Sequence, residues 1–163
     1  DTWMPLLKRT PNLLVLRTLS KLGLAGIRLG YLAADGDWIE QFEKLRPPYN
    51  VNVLTLAAAD LMLEHMSNLD AQAGALRSER GKLLSQLQAT PGVRAFDSAA
   101  NFILFRVANA DAVFAALKQR GVLIKNVASS HPLLAGCLRV TVGTVSENEM
   151  FLKALRASLG SGQ

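Results

Sequence analysis

The sequence predicts an α/β fold in three parts: strands from a larger sheet, long linking helices and a small C-terminal α/β domain. Two apolar runs near the start, residues 13–16 and 29–34, are typical of buried strands. Residues 53–88 follow a helical pattern almost throughout, and strand and helix patterns alternate after Thr90. We therefore expect the parts to cover residues 1–50, 51–90 and 91–163.

Composition and charge exclude several classes of function. The 163 residues are 50% hydrophobic, enough for a sizeable core, and carry a net charge of +5. Lysines and arginines are spread along the chain, without an aromatic-interleaved basic patch, so we expect no nucleic-acid partner. The single cysteine, Cys137, lies in an apolar run. It excludes a disulfide framework and a cysteine-rich metal site, and we expect a buried thiol and no metal.

The sequence also lacks targeting patterns. No apolar run approaches the length of a membrane span, and the first residues do not follow the charged-then-apolar pattern of a signal peptide. We expect no membrane partner and a cytoplasmic location. The chain starts at Asp1 without an initiator methionine, which predicts a fragment or a processed chain.

The first part contains two strands, a glycine-rich loop and a helix. Residues 13–18 are apolar on both faces, which predicts a strand inside a parallel sheet that is covered on both sides. After a loop at residues 20–26, a second strand covers residues 28–33. Asp37 and Glu40 resemble a capping box at the start of the helix, which Pro47 ends.

The linking part is predicted to be helical and buried. Residues 54–66 are apolar nearly all round, which predicts good burial, and a break is expected near Ser67. Asn52 precedes this helix. It is equally consistent with an N-cap and with a residue that lines a polar site.

The last part predicts about four strands with two helices on one face. The strands cover residues 93–96, 101–107, 122–125 and 137–142. One helix covers residues 110–119, with Asn109 as its cap and Gly121 at its C-terminal end. A second helix follows a capping box of Ser146 and Glu149 and runs to residue 159.

Candidate chemistry is concentrated in the glycine-rich loop. It holds Lys21, preceded by Ser20, with Arg28 seven residues after the lysine. A lysine becomes nucleophilic when burial or a nearby cation lowers its pKa. A hydroxyl and a guanidinium are suitable donors for a phosphate. From the pattern alone, a lysine beside glycines in a loop is more often a solvated turn residue than a functional one.

This loop resembles the lysine signature of fold-type I pyridoxal-phosphate aminotransferases. The matching residues are Thr-Leu-Ser-Lys from Thr18 and Gly-Leu-Ala-Gly-x-Arg from Gly23. With Asn-Phe-Ile-Leu-Phe from Asn101 and Leu-Arg-Val-Thr-Val-Gly from Leu138, the sequence is most similar to the histidinol-phosphate aminotransferases. The resemblance covers residues 13–159, the C-terminal half of such an enzyme. It implies that the first part is a remnant of the large-domain sheet of a pyridoxal-phosphate transferase.

The resemblance implies a cofactor site in the loop. Lys21 would bond covalently to pyridoxal 5'-phosphate and act as the catalytic base, while Ser20 and Arg28 would hold the cofactor phosphate. The interval from Lys21 to Arg28 is seven residues, one shorter than in most of the family.

Three further residues are implied to bind substrate. Arg139 lies in an otherwise apolar strand, so its side chain must be paired or point into a cleft, unless it is on an exposed edge strand. The family's matching arginine binds the substrate's acidic group. Asn101 would line the site, and Lys125 occupies the place of an arginine that helps to hold the substrate phosphate.

The function implied is transamination between histidinol phosphate and 2-oxoglutarate or glutamate in histidine biosynthesis, by a homodimer. Its partners would be a small phosphorylated amino substrate and a 2-oxo acid. The family's residues that hold the cofactor ring would precede Asp1, so we expect this chain alone to be inactive and to bind the cofactor weakly.

Three other functions remain open from the sequence. A decarboxylase of the threonine-phosphate type would share the family's cofactor chemistry. A non-catalytic α/β interaction domain would need neither Lys21 nor Arg28 for chemistry. A phosphate-binding module would bind an anion without a covalent step.

Overall fold

The computed structural model describes residues 2–160, apart from the side chains of Lys21 and Leu22. The chain divides into two compact units, Asp1–Ala71 and Gln72–Gln163. The boundary falls within one helix, Met66–Gln88. The three-part division at residues 50 and 90 stays a prediction.

The first unit combines a two-stranded sheet with helices. A 3₁₀ helix precedes the first strand, and two helices and the start of a third follow the second strand. In chain order these elements are the 3₁₀ helix Met4–Arg9, β1 (Val15–Thr18), β2 (Gly30–Ala33), α1 (Gly36–Leu45), α2 (Val53–Glu64) and α3 (Met66–Gln88).

The predicted parallel environment of β1 is wrong for the described residues. β1 pairs with β2 in antiparallel fashion, with Val15 opposite Ala33. Val15 is buried, but Leu16 is 77% exposed. The loop between the strands turns the chain back through left-handed conformations at Gly23 and Arg28, so the two strands pair directly. Val15 is the only buried residue of the eight in this small sheet, so the unit covers little of it.

Helices α1 and α2 both begin at side-chain caps. The cap of α1 is Asp35, whose Oδ1 accepts a hydrogen bond from the Asp37 amide at 3.1 Å, so the predicted start at Asp37 is wrong. Asn52 caps α2 by accepting a hydrogen bond from the Thr55 amide at 2.9 Å. The capping alternative for Asn52 is thereby confirmed.

The predicted burial of α2 is wrong within its own unit. Only Ala59 is buried, while Leu54 is 81% exposed and Val53, Leu56, Leu61 and Leu63 are also exposed. A helix that is apolar all round needs cover on every side, and the few elements of this unit supply it on one side only. The helical break falls at His65, two residues before the predicted position.

The second unit is a four-stranded antiparallel sheet with helices. Its strands, β3 (Arg94–Ala95), β4 (Phe102–Arg106), β5 (Lys125–Asn126) and β6 (Cys137–Thr141), lie in the order β3-β4-β6-β5. The predicted strand at residues 122–125 starts later, because pairing with β6 begins only at Lys125. In chain order the elements after α3 are β3 (Arg94–Ala95), β4 (Phe102–Arg106), α4 (Ala110–Gln119), β5 (Lys125–Asn126), the 3₁₀ helix Pro132–Leu134, β6 (Cys137–Thr141) and α5 (Val145–Gly160).

The core of this unit lies between one face of the sheet and three helices. The C-terminal part of α3 joins α4 and α5, so one more helix packs here than predicted. Phe105 and Phe151 meet edge to face, with ring centroids 5.9 Å apart. Side chains that are almost fully buried come from both layers: Leu83, Leu87, Ile103, Phe105, Leu117, Leu138 and Leu155.

The caps of α4 are those the sequence predicts. Asn109 Oδ1 accepts a hydrogen bond from the Ala112 amide at 3.0 Å. Gly121 has a φ of +77° just after the helix, a conformation that glycine adopts without strain. Both ends of α4 are therefore set by local sequence.

The capping box of α5 is displaced from its predicted position. Thr144 and Glu147 form it, not Ser146 and Glu149. The Thr144 amide donates to Glu147 Oε2 at 2.7 Å, and the Glu147 amide donates to Thr144 Oγ1 at 3.4 Å. The hydrogen bond from the Thr144 amide is the main cause of a lowered pKa at Glu147, and the hydrogen bond from the Thr144 hydroxyl adds to it.

Among residues 2–160, no helix is long and apolar enough to cross a membrane. The same residues contain no group of three or more His, Cys, Asp or Glu side chains that could hold a metal ion. Cys137 is fully buried, as predicted.

Candidate functional site

The lysine loop begins immediately after β1. Its first turn is a 3₁₀ helix, Leu19–Leu22, which includes Lys21. Thr18 Oγ1 caps this turn by accepting a hydrogen bond from the Ser20 amide at 3.1 Å. The backbone at Lys21 is thereby fixed at the end of a strand, and its side chain lies outside the described residues.

A second 3₁₀ helix, Ala25–Ile27, carries the chain to Arg28. Arg28 has a φ of +53°, a left-handed conformation that is uncommon for residues other than glycine. Its amide donates to the Ala25 carbonyl at 3.4 Å and so closes the turn. The shortened interval between Lys21 and Arg28 is spanned by these two short helices.

The side chains of Ser20 and Arg28 suit a phosphate. Ser20 is half-buried and Arg28 is exposed. Among the side chains that the structure describes, neither the Ser20 hydroxyl nor the Arg28 guanidinium has a hydrogen-bond or ion-pair partner. A hydroxyl and a planar guanidinium with free donors fit the phosphate of the cofactor that the resemblance implies.

Arg139 lies on β6, a central strand, so the edge-strand alternative is wrong. Its side chain is on the face opposite to Leu138 and Val140, which point into the core. The guanidinium carbon lies 4.8 Å from the centroid of the Phe102 ring. Its Nε is buried and has no acceptor in the described part of the chain. A buried donor without an acceptor is costly, so this position favours an anionic ligand.

Lys125 lies directly opposite Arg139 in the pairing of β5 with β6. Residues opposite each other in antiparallel strands share a face, so the two cationic side chains are neighbours. Lys125 is exposed, and no described residue forms an ion pair with either side chain. The structure therefore brings together two of the three predicted substrate-binding residues.

Asn101 directly precedes β4. Its carbonyl accepts a hydrogen bond from the Val142 amide at 2.9 Å, which continues the pairing of β4 with β6. The preceding turn is held by Arg80, whose Nη1 donates to the Ala100 carbonyl at 3.2 Å. The Asn101 side chain is exposed, and its substrate role stays a prediction.

Two arginines that sequence analysis did not single out lie on the same face of the sheet. Arg106 is two residues beyond Leu104, the residue opposite Arg139, and Arg94 lies opposite Arg106. Such diagonal neighbours lie about 7–8 Å apart. A diagonal line of cations, the cationic stripe, therefore crosses all four strands: Lys125, Arg139, Arg106 and Arg94. Ile103 and Phe105 are buried, and Arg106 follows them on the opposite face of the strand. This alternation in the sequence was the signal that could have placed Arg106 beside Arg139.

Residues 2–155 match the family model described as aminotransferase class I and II. The chain belongs to this family. It is 58% identical over 158 residues to histidinol-phosphate aminotransferase 1 of Ralstonia nicotianae. That match covers 97% of this chain and 42% of the relative, so the chain spans less than half of the relative's length.

Solved structures show the same fold. The histidinol-phosphate aminotransferase of Clostridium acetobutylicum matches with a TM-score of 0.85 and 22% identity, over 98% of this chain and 49% of that one. The histidinol-phosphate aminotransferase of Sinorhizobium meliloti, solved with pyridoxal-5'-phosphate, matches with a TM-score of 0.74 and 26% identity, over 93% and 42% of the two chains. The predicted α/β class is confirmed.

Proposed function

We propose that the protein transfers an amino group between histidinol phosphate and 2-oxoglutarate or glutamate, with pyridoxal phosphate as cofactor. This chain would supply the C-terminal part of the enzyme. The observation that carries the proposal is the cross-strand pair of Lys125 and Arg139, two unpaired cations on one face of the sheet. Every substrate of this reaction is anionic, and two of them carry two carboxylates.

The loop of the first unit supplies the cofactor-binding residues in this proposal. The Ser20 hydroxyl and the Arg28 guanidinium donate to the cofactor phosphate. When bound, pyridoxal phosphate supplies the electron sink that the reaction needs. Lys21 Nζ takes the proton from the substrate α-carbon and delivers it to a second carbon, which is general acid–base catalysis by a single amine.

The second unit supplies the substrate-binding cations. Arg139 binds a carboxylate or phosphate through its planar fork, and the Phe102 ring beneath it limits its rotation. Lys125 adds a point charge that attracts a second anionic group but does not impose bidentate geometry. Asn101 lines the same site. These residues bind and orient substrate, and the proton transfer is assigned to Lys21.

We also propose that the enzyme works as a homodimer in the cytoplasm, as the family resemblance implies. Sedimentation of the purified complete gene product with cofactor should give the mass of a dimer. A monomer that is active at the same concentration would contradict this part of the proposal.

The activity test uses the complete gene product beside the 163-residue chain. Glutamate should form only when histidinol phosphate, 2-oxoglutarate and pyridoxal phosphate are all present. Release of carbon dioxide from threonine phosphate without an amino acceptor would support the decarboxylase instead. We expect the 163-residue chain alone to be inactive, because the matched relative has more than half of its length outside the matching region.

Variants separate the roles. Lys21→Ala should abolish amino transfer and prevent borohydride from fixing cofactor mass on the peptide that contains residue 21. Arg139→Gln should raise KM for the acidic substrate by at least about tenfold, since hydrogen bonds to charged groups are strong. Arg77→Gln, at an exposed arginine on α3, is the matched control and should change neither value. Full activity in Lys21→Ala would exclude Lys21 as the catalytic base. Absence of both amino transfer and a cofactor adduct on Lys21 in the unsubstituted complete gene product would leave the interaction-domain or phosphate-module alternatives.

A further inference from the structure

The end of the cationic stripe at β3 and β4 is built around one aromatic ring. The guanidinium carbon of Arg94 lies 5.3 Å from the centroid of Phe96, and that of Arg106 lies 5.7 Å from it. A ring face attracts a guanidinium and orients its plane. Both arginines are therefore held beside the same ring, on the face of the sheet opposite the helices.

The two arginines repel each other, and nothing described in the chain neutralises them. They lie directly opposite each other in the pairing of β3 with β4, an arrangement that destabilises a sheet when the charges are alike. The ion pairs among the described residues involve Lys44, Arg46 and Lys82, and none involves Arg94 or Arg106. The Phe96 ring attracts both guanidiniums but carries no net charge, so the two positive charges are not balanced by any described residue.

The Arg106 guanidinium is also held in place, although not all of its N–H donors have an acceptor. Its Nη2 donates to the Leu133 carbonyl at 2.7 Å, and its Cγ lies 3.4 Å from the position of a Cβ on Gly136. These contacts fix the guanidinium, yet its Nε is buried without an acceptor in the described part of the chain. The Nη1 group of the same guanidinium has no hydrogen-bond partner among the described residues either, so the fork retains a donor for an anion.

We propose that Arg94, Phe96 and Arg106 form a second oxyanion site, separate from Arg139 and Lys125, which binds a phosphate group. Two guanidiniums carry a charge of +2, which a phosphate monoester or inorganic phosphate of nearly −2 neutralises and a single carboxylate does not. The three free oxygens of a phosphate supply acceptors to the guanidinium forks of Arg94 and Arg106 together. A shallow surface pocket is lined by residues 92–94 and 106–108, which include both arginines.

The proposal predicts a direct spectroscopic response to inorganic phosphate. In the 163-residue chain, the arginine Nε–Hε signals of Arg94 and Arg106 should shift and saturate as phosphate is added at constant ionic strength. Methyl phosphate, added in a second series, distinguishes a phosphoester from the free ion: equal or tighter binding assigns the site to esters, and binding of inorganic phosphate alone assigns it to the ion. Acetate should bind more weakly than either.

Substitutions of single arginines test which side chains bind the phosphate. Arg94→Gln and Arg106→Lys should each weaken phosphate binding by at least about tenfold. Arg139→Lys should leave these shifts unchanged, which separates this site from the proposed substrate site, and Arg77→Gln is the control for net charge. A response that does not saturate, that acetate reproduces, or that Arg139→Lys removes would overturn the proposal.

Discussion

Thr144 and Glu147 hydrogen-bond each other in both directions at the start of α5. Glu147 Oε2 accepts from the Thr144 amide at 2.7 Å and from its hydroxyl at 2.8 Å, and the Glu147 amide donates to Thr144 Oγ1. This reciprocal pair joins the end of β6 to the helix that closes the core of the second unit. It makes the stability of this unit dependent on the charge of one carboxylate.

The first prediction concerns pH. Because the hydrogen bonds from Thr144 lower the pKa of Glu147 in the folded chain, their stabilisation is complete above the pKa of the unfolded chain and is lost as pH falls through the folded value. Glu147→Gln should therefore destabilise the chain near neutral pH and match the parent protein in acid. Urea unfolding across a pH series measures this, with Glu149→Gln as the control. A difference that does not vary with pH would contradict it.

The second prediction concerns repulsion between Lys125 and Arg139. Because like charges face each other across β5 and β6, Lys125→Gln should raise the free energy of unfolding by up to about 1 kcal/mol at low salt. The gain should shrink as salt screens the repulsion. Chemical denaturation at two salt concentrations provides the measurement, and Lys153→Gln, at an exposed position on α5, is the matched control. An equal gain in both variants would show a net-charge effect only.

The third prediction tests where the core lies. Leu117 is fully buried against the sheet, while Leu123 is 76% exposed. Leu117→Ala should reduce the free energy of unfolding by about 2–5 kcal/mol, and Leu123→Ala by less than about 0.5 kcal/mol. Urea unfolding followed by circular dichroism compares the two. Similar losses would mean that the segment before β5 is packed as tightly as α4.

The fourth prediction separates backbone conformation from steric contact at two glycines. Gly121 and Gly136 have φ values of +77° and +73°. A Cβ at residue 121 meets nothing within 4 Å, whereas one at residue 136 would lie 2.8 Å from the Val107 carbonyl oxygen. Gly121→Ala should cost about 1 kcal/mol, and Gly136→Ala clearly more, since the backbone must also move. Thermal unfolding of the two variants measures the loss of stability in each, and equal losses would exclude the clash at residue 136.

Local patterns predicted the second unit well. The bounds of α4, its Asn109 cap and the glycine after it all match the structure, because each depends on residues within a few positions of one another. The capping box of α5 was misplaced by two residues, since Thr144 and Ser146 are both followed by a glutamate three positions later. The end of β6 at Thr141 leaves room for the earlier box to form.

Long-range relationships were predicted less well. An apolar run shows that side chains favour burial, but it does not name the element that covers them. Leu16 on β1 and Leu54 on α2 were both expected to be buried and are both exposed in the first unit. Their environment depends on contacts between distant segments, which periodicity does not encode.

The candidate site also contains local features that the sequence predicts and long-range features that it does not. The order of Ser20, Lys21 and Arg28 is visible in the sequence because the loop is continuous. The pairing of Lys125 with Arg139, and the extension of the cationic stripe to Arg94, required the register of strands that are far apart in the chain. Strand patterns alone do not fix which residues face each other.

The central position of β6 sets the order in which the second unit can form during synthesis. β4 is made about thirty residues before its main partner, and until then it has only the two-residue strand β3 beside it. The sheet therefore cannot close until residues 137–141 have left the ribosome, and the apolar face of β4 stays without its main partner for that interval. A ribosome stalled before β6 should carry a chain that is far more sensitive to protease than one stalled well after it.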